Sequence, residues 1–361
     1  MPSRRNDEPK TGSASSSTTN EPYIAALRGL EGTETLMDQD EAVSLWIVAP
    51  GRAELRRERL RAPVAGEVLV QACYGGVSRG TEALVFNGRV PRSEWTRMRA
   101  PFQRGDFPGP VQYGYLSVGR VVGGEPALIG RDVFCLHPHQ SRYVVPASAV
   151  LPLPDGLPPA RAILAANLET AINASWDAGL AAGDRVSVVG GGCVGSLVAW
   201  LASRTPGCEV ELVDVNPARA AVAAALGVPF AAPAGARGGA DVVFHASASE
   251  AGLARALELA ANEALVVELS WYGEGRIPVA LGAAFHSQRL RLVSSQVGQL
   301  PASHRCRWDH ARRLALALRL LAAAPELDAL INSEGPFATL PERLAELAND
   351  PGDVIVHRIV Y

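Results

Sequence analysis

The stretch Val186-Ser-Val-Val-Gly190-Gly-Gly192-Cys-Val-Gly195 decides the fold of this chain. It joins an apolar, strand-like run to three glycines at G-x-G-x-x-G spacing, and an apolar helical segment follows. Gly190 allows a tight turn, Gly192 lets the backbone approach a pyrophosphate, and Gly195 lets the helix pack close to the strand. Because a helix N-terminus attracts phosphate charge, the pattern predicts a dinucleotide-binding turn. A glycine-rich turn in another kind of α/β domain is the alternative.

An acidic residue stands where such a fold needs one. Asp214 ends the next apolar run, 19 positions after Gly195. Its carboxylate can accept hydrogen bonds from both hydroxyls of an adenosine ribose and would repel a 2′-phosphate, which favours NAD over NADP. Arg219, in the first turn of the next predicted helix, is able to pair with a 2′-phosphate and keeps NADP open as the second choice.

Composition narrows the class of protein. The chain has 361 residues, enough for two domains, and its net charge of −3 gives no basic surface for nucleic acid. No apolar run reaches the roughly 20 residues of a membrane span, and the cysteines show no C-x-x-C spacing. The Arg4-Arg5 pair is not followed by an apolar signal segment. We therefore expect a cytoplasmic protein whose partner is a small-molecule substrate, not nucleic acid or a membrane.

The chain divides into four segments. Residues 1–40 are rich in Ser, Thr, Asn and Glu and predict a disordered tail. Short β segments punctuated by Gly and Pro run from 44 to 154, which is typical of a barrel or sandwich. After a helix over about 159–178, strand and helix signals alternate, which indicates a parallel, doubly wound sheet. An amphipathic helix over 308–324 and a β-like segment over 353–361 follow.

This order of segments resembles the medium-chain dehydrogenase/reductase superfamily over about residues 42–361. The motifs that carry the resemblance are Gly183-Asp184-Arg-Val, Gly190-x-Gly-x-x-Gly195, Asp214-x-Asn-Pro-Ala-Arg219 and Pro351-Gly-Asp-Val-Ile355. Two further motifs, Ser78-Arg-Gly-Thr-Glu82 and His137-Pro-His-Gln140, are similar to the branch around bacteriochlorophyllide a dehydrogenase.

The resemblance implies an α/β fold in which a GroES-like β-barrel catalytic domain joins a Rossmann domain with a doubly wound parallel sheet. The catalytic domain would span residues 41–157 and the NAD-binding Rossmann domain residues 158–298. Residues 299–361 would return to the catalytic domain. The resemblance also implies a homodimer, and an exposed strand edge at Leu290 to Ser295 would supply the unpaired groups for it.

Further cofactor contacts follow from the resemblance. Thr170 matches a threonine beside the nicotinamide ring, and Val194 matches a residue that packs against that ring. Ser270 and the residues from Ser295 to Val297 fall where family members hold the carboxamide with backbone groups. Arg79 matches an arginine that reaches the pyrophosphate, with a solvated loop arginine as the alternative.

Many members of the superfamily polarise their substrate with a catalytic zinc. In this chain the three matching ligand positions hold Ser78, Tyr115 and Ala166. None of these residues is a zinc ligand, since zinc takes thiolate, imidazole or carboxylate. The four-cysteine lobe that holds a structural zinc in the family is also missing. The expectation is a protein without zinc or another bound metal. One cluster keeps a different metal site open, namely Cys135, His137 and His139.

Without zinc, a side chain must exchange the proton that accompanies hydride transfer. His137 is the first candidate, because the resemblance places it in the substrate pocket and the ordinary pKa of histidine is about 6.5. Tyr115 fills the position of a missing metal ligand, and either Glu82 or Glu169 would orient His137 or a substrate hydroxyl. His139 ranks below His137. The predicted catalytic set is His137, Tyr115, Glu82 and Ser78.

These expectations combine into an NAD-dependent, zinc-independent oxidoreductase that interconverts a secondary alcohol and a ketone. The aromatic segment from Asn87 to Gln112 hints at a bulky or cyclic substrate, although core packing explains its apolar content equally well. Two alternatives stay open: a quinone or enoyl reductase, and a non-catalytic NAD(H)-binding protein.

Overall fold

The structure, a computed structural model, describes residues 40–361. The predicted disordered tail, apart from its last position, lies outside the described residues. The strands are β1 (Glu41–Ala49), β2 (Arg52–Arg59), β3 (Glu67–Val77), β4 (Arg104–Gly105), β5 (Val111–Gln112), β6 (Ser117–Gly124), β7 (Asp132–Cys135), β8 (Arg142–Pro146), β9 (Val150–Pro152), β10 (Arg185–Val189), β11 (Glu209–Val213), β12 (Phe230–Ala231), β13 (Ala240–His245), β14 (Ala260–Glu268), β15 (Arg291–Ser294), β16 (Ile331–Pro336) and β17 (Val356–Val360).

Helices connect these strands. The α-helices are α1 (Arg79–Phe86), α2 (Pro159–Ala162), α3 (Ala165–Ala178), α4 (Cys193–Ala202), α5 (Arg219–Ala225), α6 (Glu250–Leu259), α7 (Ala284–Ser287), α8 (His310–Ala322) and α9 (Leu340–Asn349). Short 3₁₀ helices lie at Arg92–Glu94, Ala147–Ala149, Pro233–Gly235, Pro325–Leu330 and Phe337–Thr339. No helix in the described part of the chain is long and apolar enough to cross a membrane.

The sheet that follows the glycine motif is parallel throughout, with the strand order β12-β11-β10-β13-β14-β15. Successive side chains of a strand point to opposite faces. In β10, Val186 and Val188 join one buried apolar cluster with Leu197 of α4, whereas Val189 joins a second cluster with Leu257 of α6. Both faces are therefore covered by helices, which explains why these strands read as continuous apolar runs.

The remaining strands form one mixed, mainly antiparallel sheet and one sheet that is antiparallel throughout. One has the order β16-β17-β3-β6-β7-β9 with β8 paired to β3, and the other has the order β2-β1-β5-β4. Strand β17 lies antiparallel to β3, with His357 opposite Val77, and parallel to β16. The segment that follows the parallel sheet thus pairs with a strand from the start of the described chain.

The fold class predicted from the sequence is confirmed, because an α/β fold with a Rossmann-like parallel sheet stands beside β-rich sheets. Two details differ from the expectation. The helix predicted over 159–178 is two helices, α2 and α3, with a break at residues 163–164. Strand β2 is not among the predicted strands: its sequence RAELRRER carries six charged side chains, and none of its residues is fully buried.

Candidate active site

The glycine turn has the geometry that its sequence predicts. Gly190 has φ 111°, and a Cβ there would lie 2.6 Å from the Ser247 backbone nitrogen. A Cβ on Gly195 would collide with the carbonyl oxygen of Gly190. Packing therefore excludes a side chain at both positions. Gly192 differs, because a Cβ there would meet no atom within 4 Å. The open space lies at the N-terminus of α4, where a phosphate group fits.

Asp214 lies directly beside this turn. Its Oδ2 accepts a hydrogen bond from the Gly191 backbone N–H at 2.6 Å, and its Oδ1 accepts one from the Asn216 N–H at 2.7 Å. Arg219 is buried, and its guanidinium donates to the Asp353 carbonyl oxygen at 2.7 Å. The carboxylate is thus held rigidly at the turn, while the arginine that would favour a 2′-phosphate is already bonded to backbone.

Arg79 joins this region to the β-rich part of the chain. It is the first residue of α1 rather than a loop residue, and it is half-buried. Burial and the charge of Arg219 lower the pKa of Arg79, whereas Asp214 and Cys193 oppose the shift. Its guanidinium donates to the Val354 carbonyl oxygen at 3.3 Å and interacts with the charge of Asp214 beside the glycine turn.

A buried acid–imidazole pair lies in the first turn of the same helix, α1. Glu82 Oε1 accepts from the Ser78 N–H at 2.7 Å, and Glu82 Oε2 lies 2.7 Å from His139 Nε2. Both side chains are at most 2 % exposed. A Cβ on Gly114 would approach His139 Nε2 to 2.8 Å, so the residue before Tyr115 must be glycine for the imidazole to fit.

Tyr115 brings its hydroxyl to the same place. Burial raises the pKa of Tyr115 to about 12, against hydrogen bonds with Ser78 and Thr81 that lower it, and the charge of Glu82 adds to the rise. The phenol therefore stays protonated at neutral pH and can donate a hydrogen bond. Two of the three positions that match metal ligands in the superfamily, Ser78 and Tyr115, thus carry hydroxyl groups that meet each other.

Cys193 connects these hydroxyls to the glycine turn. It is the first residue of α4, and it interacts electrostatically with Tyr115 and Arg79. Burial raises the pKa of the Cys193 thiol to about 12, against a hydrogen bond with Asn167, so the thiol is not a nucleophile at neutral pH. The groups predicted for cofactor and for substrate therefore meet at the start of α4.

The other predicted cofactor residues lie on α3, on α4 and just after the ends of β14 and β15. Thr170 follows Asn167 by three residues on α3, and its hydroxyl donates to the Ala166 carbonyl at 3.0 Å. Val194, next to Cys193, is partly buried against the main core cluster. The hydroxyl of Ser270 accepts from the Ala248 N–H at 3.0 Å. That of Ser295 donates to Asp177 Oδ2 at 2.6 Å. Because both serine hydroxyls are engaged, backbone groups remain for a carboxamide.

His137 lies apart from the acid–imidazole pair. Its ring stacks on Tyr143 at 3.7 Å between centroids and on Phe102 at 5.6 Å. Its Nδ1 bonds the Pro138 carbonyl oxygen at 2.9 Å. Burial lowers the pKa of His137 to about 3, so the imidazole is neutral at physiological pH. It is packed as a core aromatic ring.

The carboxylates expected to orient His137 have other partners. Glu82 bonds His139, and Glu169 bonds Arg313 Nε at 3.0 Å. The interpretation in which Glu82 or Glu169 orients His137 is therefore wrong. The histidine ranked lower, His139, is the one that meets the carboxylate.

The residues present do not fit the zinc that the resemblance would imply. Ala166 offers no donor atom, and the hydroxyls of Ser78 and Tyr115 are not the thiolate or imidazole that zinc prefers. Within residues 40–361 no group of three His, Cys, Asp or Glu side chains is placed to hold a metal ion. The polar groups available for chemistry at this place are therefore the protein's own side chains.

Sequence reasoning missed two residues of the site. Thr81 lies three residues after Ser78, on the same face of α1, and that helical spacing is the signal that could have revealed it. Asn167 directly follows Ala166, the third position compared with metal ligands, and its Oδ1 is buried without a hydrogen-bond partner among the described residues.

Comparison with known proteins agrees with this architecture. A scan against models of known protein families found no match. The chain is 26 % identical over 328 residues to D-guloside 3-dehydrogenase of Escherichia coli (strain K12), covering 81 % of this chain and 92 % of that protein.

Solved structures show the same fold. L-idonate 5-dehydrogenase from Escherichia coli K-12 superposes with a TM-score of 0.73 at 17 % identity, over 89 % of this chain and 98 % of that chain. A zinc-binding dehydrogenase of Sinorhizobium meliloti 1021 with bound NADP gives a TM-score of 0.71 at 18 % identity. The superposition covers 90 % of this chain and 100 % of that chain. These likenesses establish the alcohol dehydrogenase-like fold of medium-chain dehydrogenases and support the superfamily-level resemblance. The relatives are dehydrogenases, which confirms the predicted NAD(P)-dependent dehydrogenase class.

Proposed function

We propose that this protein is an NAD-dependent oxidoreductase that interconverts a secondary alcohol and a ketone without catalytic zinc. One observation carries the proposal. The Tyr115 hydroxyl interacts with Ser78, with Thr81 and with Cys193. Cys193 is the first residue of α4 and directly follows the open space at Gly192. A hydrogen-bond donor thus lies next to the place that the glycine turn provides for a dinucleotide.

The nicotinamide cofactor, when bound, accepts or supplies the hydride. Tyr115 donates a hydrogen bond to the substrate oxygen and, in ketone reduction, gives its proton to the alkoxide that forms there. Glu82 is fixed by Ser78 N–H and His139, and its negative charge keeps the phenol protonated. Ser78 and Thr81 hydrogen-bond the phenol and orient it, and the phenolate left after the transfer takes its proton back from solvent.

Asp214 supports NAD as the cofactor. Its two oxygens are held by backbone donors at the edge of the glycine turn, where they can accept from the two ribose hydroxyls. A 2′-phosphate at this place would meet the same negative charge. The bonding of Arg219 to the Asp353 carbonyl leaves less compensation for that charge.

We propose a bulky or cyclic, sugar-like molecule as the substrate class. The relative from Escherichia coli is named for position 3 of a guloside, and a structural neighbour for position 5 of L-idonate. In the aromatic segment 87–112, Phe102 is 40 % exposed and stacks on His137, whereas Phe107 is buried against Tyr113. Phe102 is therefore an aromatic side chain of that segment that a ligand can reach.

The test is turnover of a panel of secondary alcohols, cyclic polyols and methyl glycosides with NAD, followed at the nicotinamide absorbance. We expect NAD-linked oxidation of at least one cyclic secondary alcohol. Dialysis against a chelator should leave turnover intact, with metal analysis well below one zinc per chain. Turnover that is lost on chelation and restored by zinc would contradict the metal-free mechanism.

The same assay separates the two alternatives. Reduction of quinones or activated C=C bonds, with no alcohol oxidised, would identify a reductase of that kind. Tight NADH binding without turnover of any panel member would favour a non-catalytic NAD(H)-binding protein. We expect neither outcome, because Asp214 argues against the NADPH that such reductases usually use, and a non-catalytic protein needs no proton donor beside the cofactor.

We propose a homodimer formed through β15. This strand lies at one end of the parallel sheet, and all four of its residues are exposed, with Leu292 and Val293 each 36 % exposed. An uncovered strand edge with apolar side chains favours pairing with a second copy. Light scattering at micromolar concentration should give the dimer mass, and Val293→Lys should shift it towards the monomer. A wild-type monomer would contradict the proposal.

The cytoplasm is the proposed compartment. The five cysteines are free thiols, which suits a reducing environment. Cell fractionation of the native host tests this assignment, and recovery in an oxidising compartment would refute it.

A further inference from the structure

A second hydrogen-bonded cluster lies at the carboxyl ends of β13 and β14. His245 ends β13, and its Nδ1 lies 2.7 Å from Glu268 Oε2 at the end of β14. His245 Nε2 lies 2.6 Å from the hydroxyl of Ser247. The Tyr272 hydroxyl donates to Glu268 Oε2 at 3.0 Å. The mechanism proposed above uses none of these groups.

The cluster also joins the two loops that leave these strands. The Ser270 N–H donates to Glu268 Oε1 at 2.7 Å, and the Ala248 N–H donates to the Ser270 hydroxyl. Burial alone would raise the pKa of Glu268. The hydrogen bond and charge of His245 outweigh this effect, so the pKa of Glu268 is lowered. Glu268 is therefore an ionised carboxylate held in one orientation.

Tight packing fixes the cluster against the glycine turn. A Cβ on Gly252 would collide with the Ser247 hydroxyl and approach His245 Nε2 to 2.8 Å. On the other side, the Ser247 backbone lies against Gly190. The cluster is thus a rigid part of the crevice at the carboxyl ends of the strands, where ligands bind in open parallel sheets.

The strand order places this cluster under one half of a dinucleotide. Asp214, the acceptor for the adenosine ribose, follows β11 on one side of β10, whereas β13 and β14 lie on the other side. The pyrophosphate belongs at the turn after β10. The other half of the cofactor must then extend over the ends of β13 and β14, towards Glu268.

We propose that Glu268 tunes the redox preference of the bound cofactor, with His245 as its positioning residue. The inference rests on the proposed function, since it requires a nicotinamide cofactor. The oxidised nicotinamide ring carries a positive charge and the reduced ring carries none. A fixed carboxylate near the ring therefore stabilises the oxidised form selectively.

The hydrogen bonds fix the orientation of the pair. Because Glu268 is ionised, His245 Nδ1–H donates to it, and the other ring nitrogen, Nε2, bonds the Ser247 hydroxyl. The imidazole is thus held between a hydroxyl and the carboxylate, and it orients Glu268.

The test is the ratio of the dissociation constants for NAD⁺ and NADH, measured by calorimetry at pH 8.5. Glu268→Gln removes the charge and keeps the shape. We expect the ratio Kd(NAD⁺)/Kd(NADH) to rise about tenfold, the order expected for a unit charge several ångströms away. Glu268→Asp keeps the charge and should restore the wild-type ratio, even if both affinities fall.

Two control variants separate charge from structural damage. His245→Gln removes the imidazole but keeps an N–H donor that can hold the carboxylate, and its ratio should stay within about twofold of wild type. Glu211→Gln makes the same charge change on β11, where the carboxylate is bonded to Arg237, and should also leave the ratio unchanged. Circular dichroism of each variant checks that the protein is folded.

The outcomes distinguish this inference from the proposed function. Wild-type protein that binds neither NAD⁺ nor NADH would refute both. Wild-type protein that binds both, with an unchanged ratio in Glu268→Gln, would refute the tuning role alone. An equal change of the ratio in His245→Gln would show that structural disruption, and not charge, is the cause.

Discussion

The cofactor side of the proposed site is formed mainly by backbone groups, and the substrate side is formed by side chains. On the cofactor side, backbone groups at Gly190 to Gly192 and one carboxylate, Asp214, surround an open space. On the substrate side, buried side chains from separate strands and helices hold the hydroxyl of Tyr115. The backbone surface suits a ligand that many proteins share, whereas the side-chain cluster can be changed residue by residue to suit one substrate.

The proposed contrast between the cofactor side and the substrate side is tested most strongly by a substitution at Tyr115. Tyr115→Phe removes the proposed proton donor and should lower kcat about 100- to 1,000-fold, with the NADH dissociation constant unchanged. Because the pKa of Tyr115 is raised to about 12, the phenol remains protonated and ketone reduction by the wild type should not fall between pH 7 and 10.

Tyr113→Phe is the matched control for this experiment. Tyr113 is buried against Phe107 and Tyr115 in an apolar cluster, and its loss of a hydroxyl should cost less than about fivefold in kcat. Equal losses in the two variants would show that Tyr115 acts only through packing.

On the cofactor side, Asp214→Ala should weaken NAD binding about 10- to 100-fold, because hydrogen bonds to a charged acceptor are lost. NADP binding should weaken less or improve, since the repelling charge is gone. Fluorescence titration with NADH and NADPH measures both effects. Wild-type protein that binds NADPH more tightly than NADH would contradict the assignment of NAD as the cofactor.

The smallest change in kcat is expected for a substitution at His137. This experiment tests whether His137 belongs to the substrate side. His137→Phe keeps a ring stacked on Tyr143 and removes both nitrogens. Since the pKa of His137 is about 3, the imidazole does not supply a proton at neutral pH, and kcat should change less than about threefold. A loss of 100-fold or more would return the proton transfer to His137, as the sequence alone predicted.

Much of the parallel sheet could be predicted because its signals are local. The second strand was expected at 209–214 and is observed at Glu209–Val213, since burial on both faces gives a continuous apolar run bounded by turns. The glycine turn and Asp214 follow from spacing within one β-α-β unit. Strand β2 escaped prediction because its side chains are mostly charged and none of them is fully buried.

The substrate side could be predicted only in part. The sequence identified Ser78, Glu82 and Tyr115 through a resemblance, but it paired Glu82 with the wrong histidine. His137 and His139 are two residues apart, and only the closed sheets decide that one stacks on Tyr143 while the other bonds Glu82. Glu82 and His139 are 57 positions apart in sequence, and no local pattern reports such a contact.

The pairing of β17 with β3 has a consequence for the order in which the protein is made. Strand β3 comprises residues Glu67–Val77, and its partner comprises Val356–Val360. A ribosome therefore releases the whole parallel sheet before it delivers the strand that covers this side of β3. Until then the nascent chain carries an open edge at Gly75 and Gly76, next to the residues that become the substrate side. The cofactor half can assemble during translation, whereas the reacting half closes only once translation has reached β17.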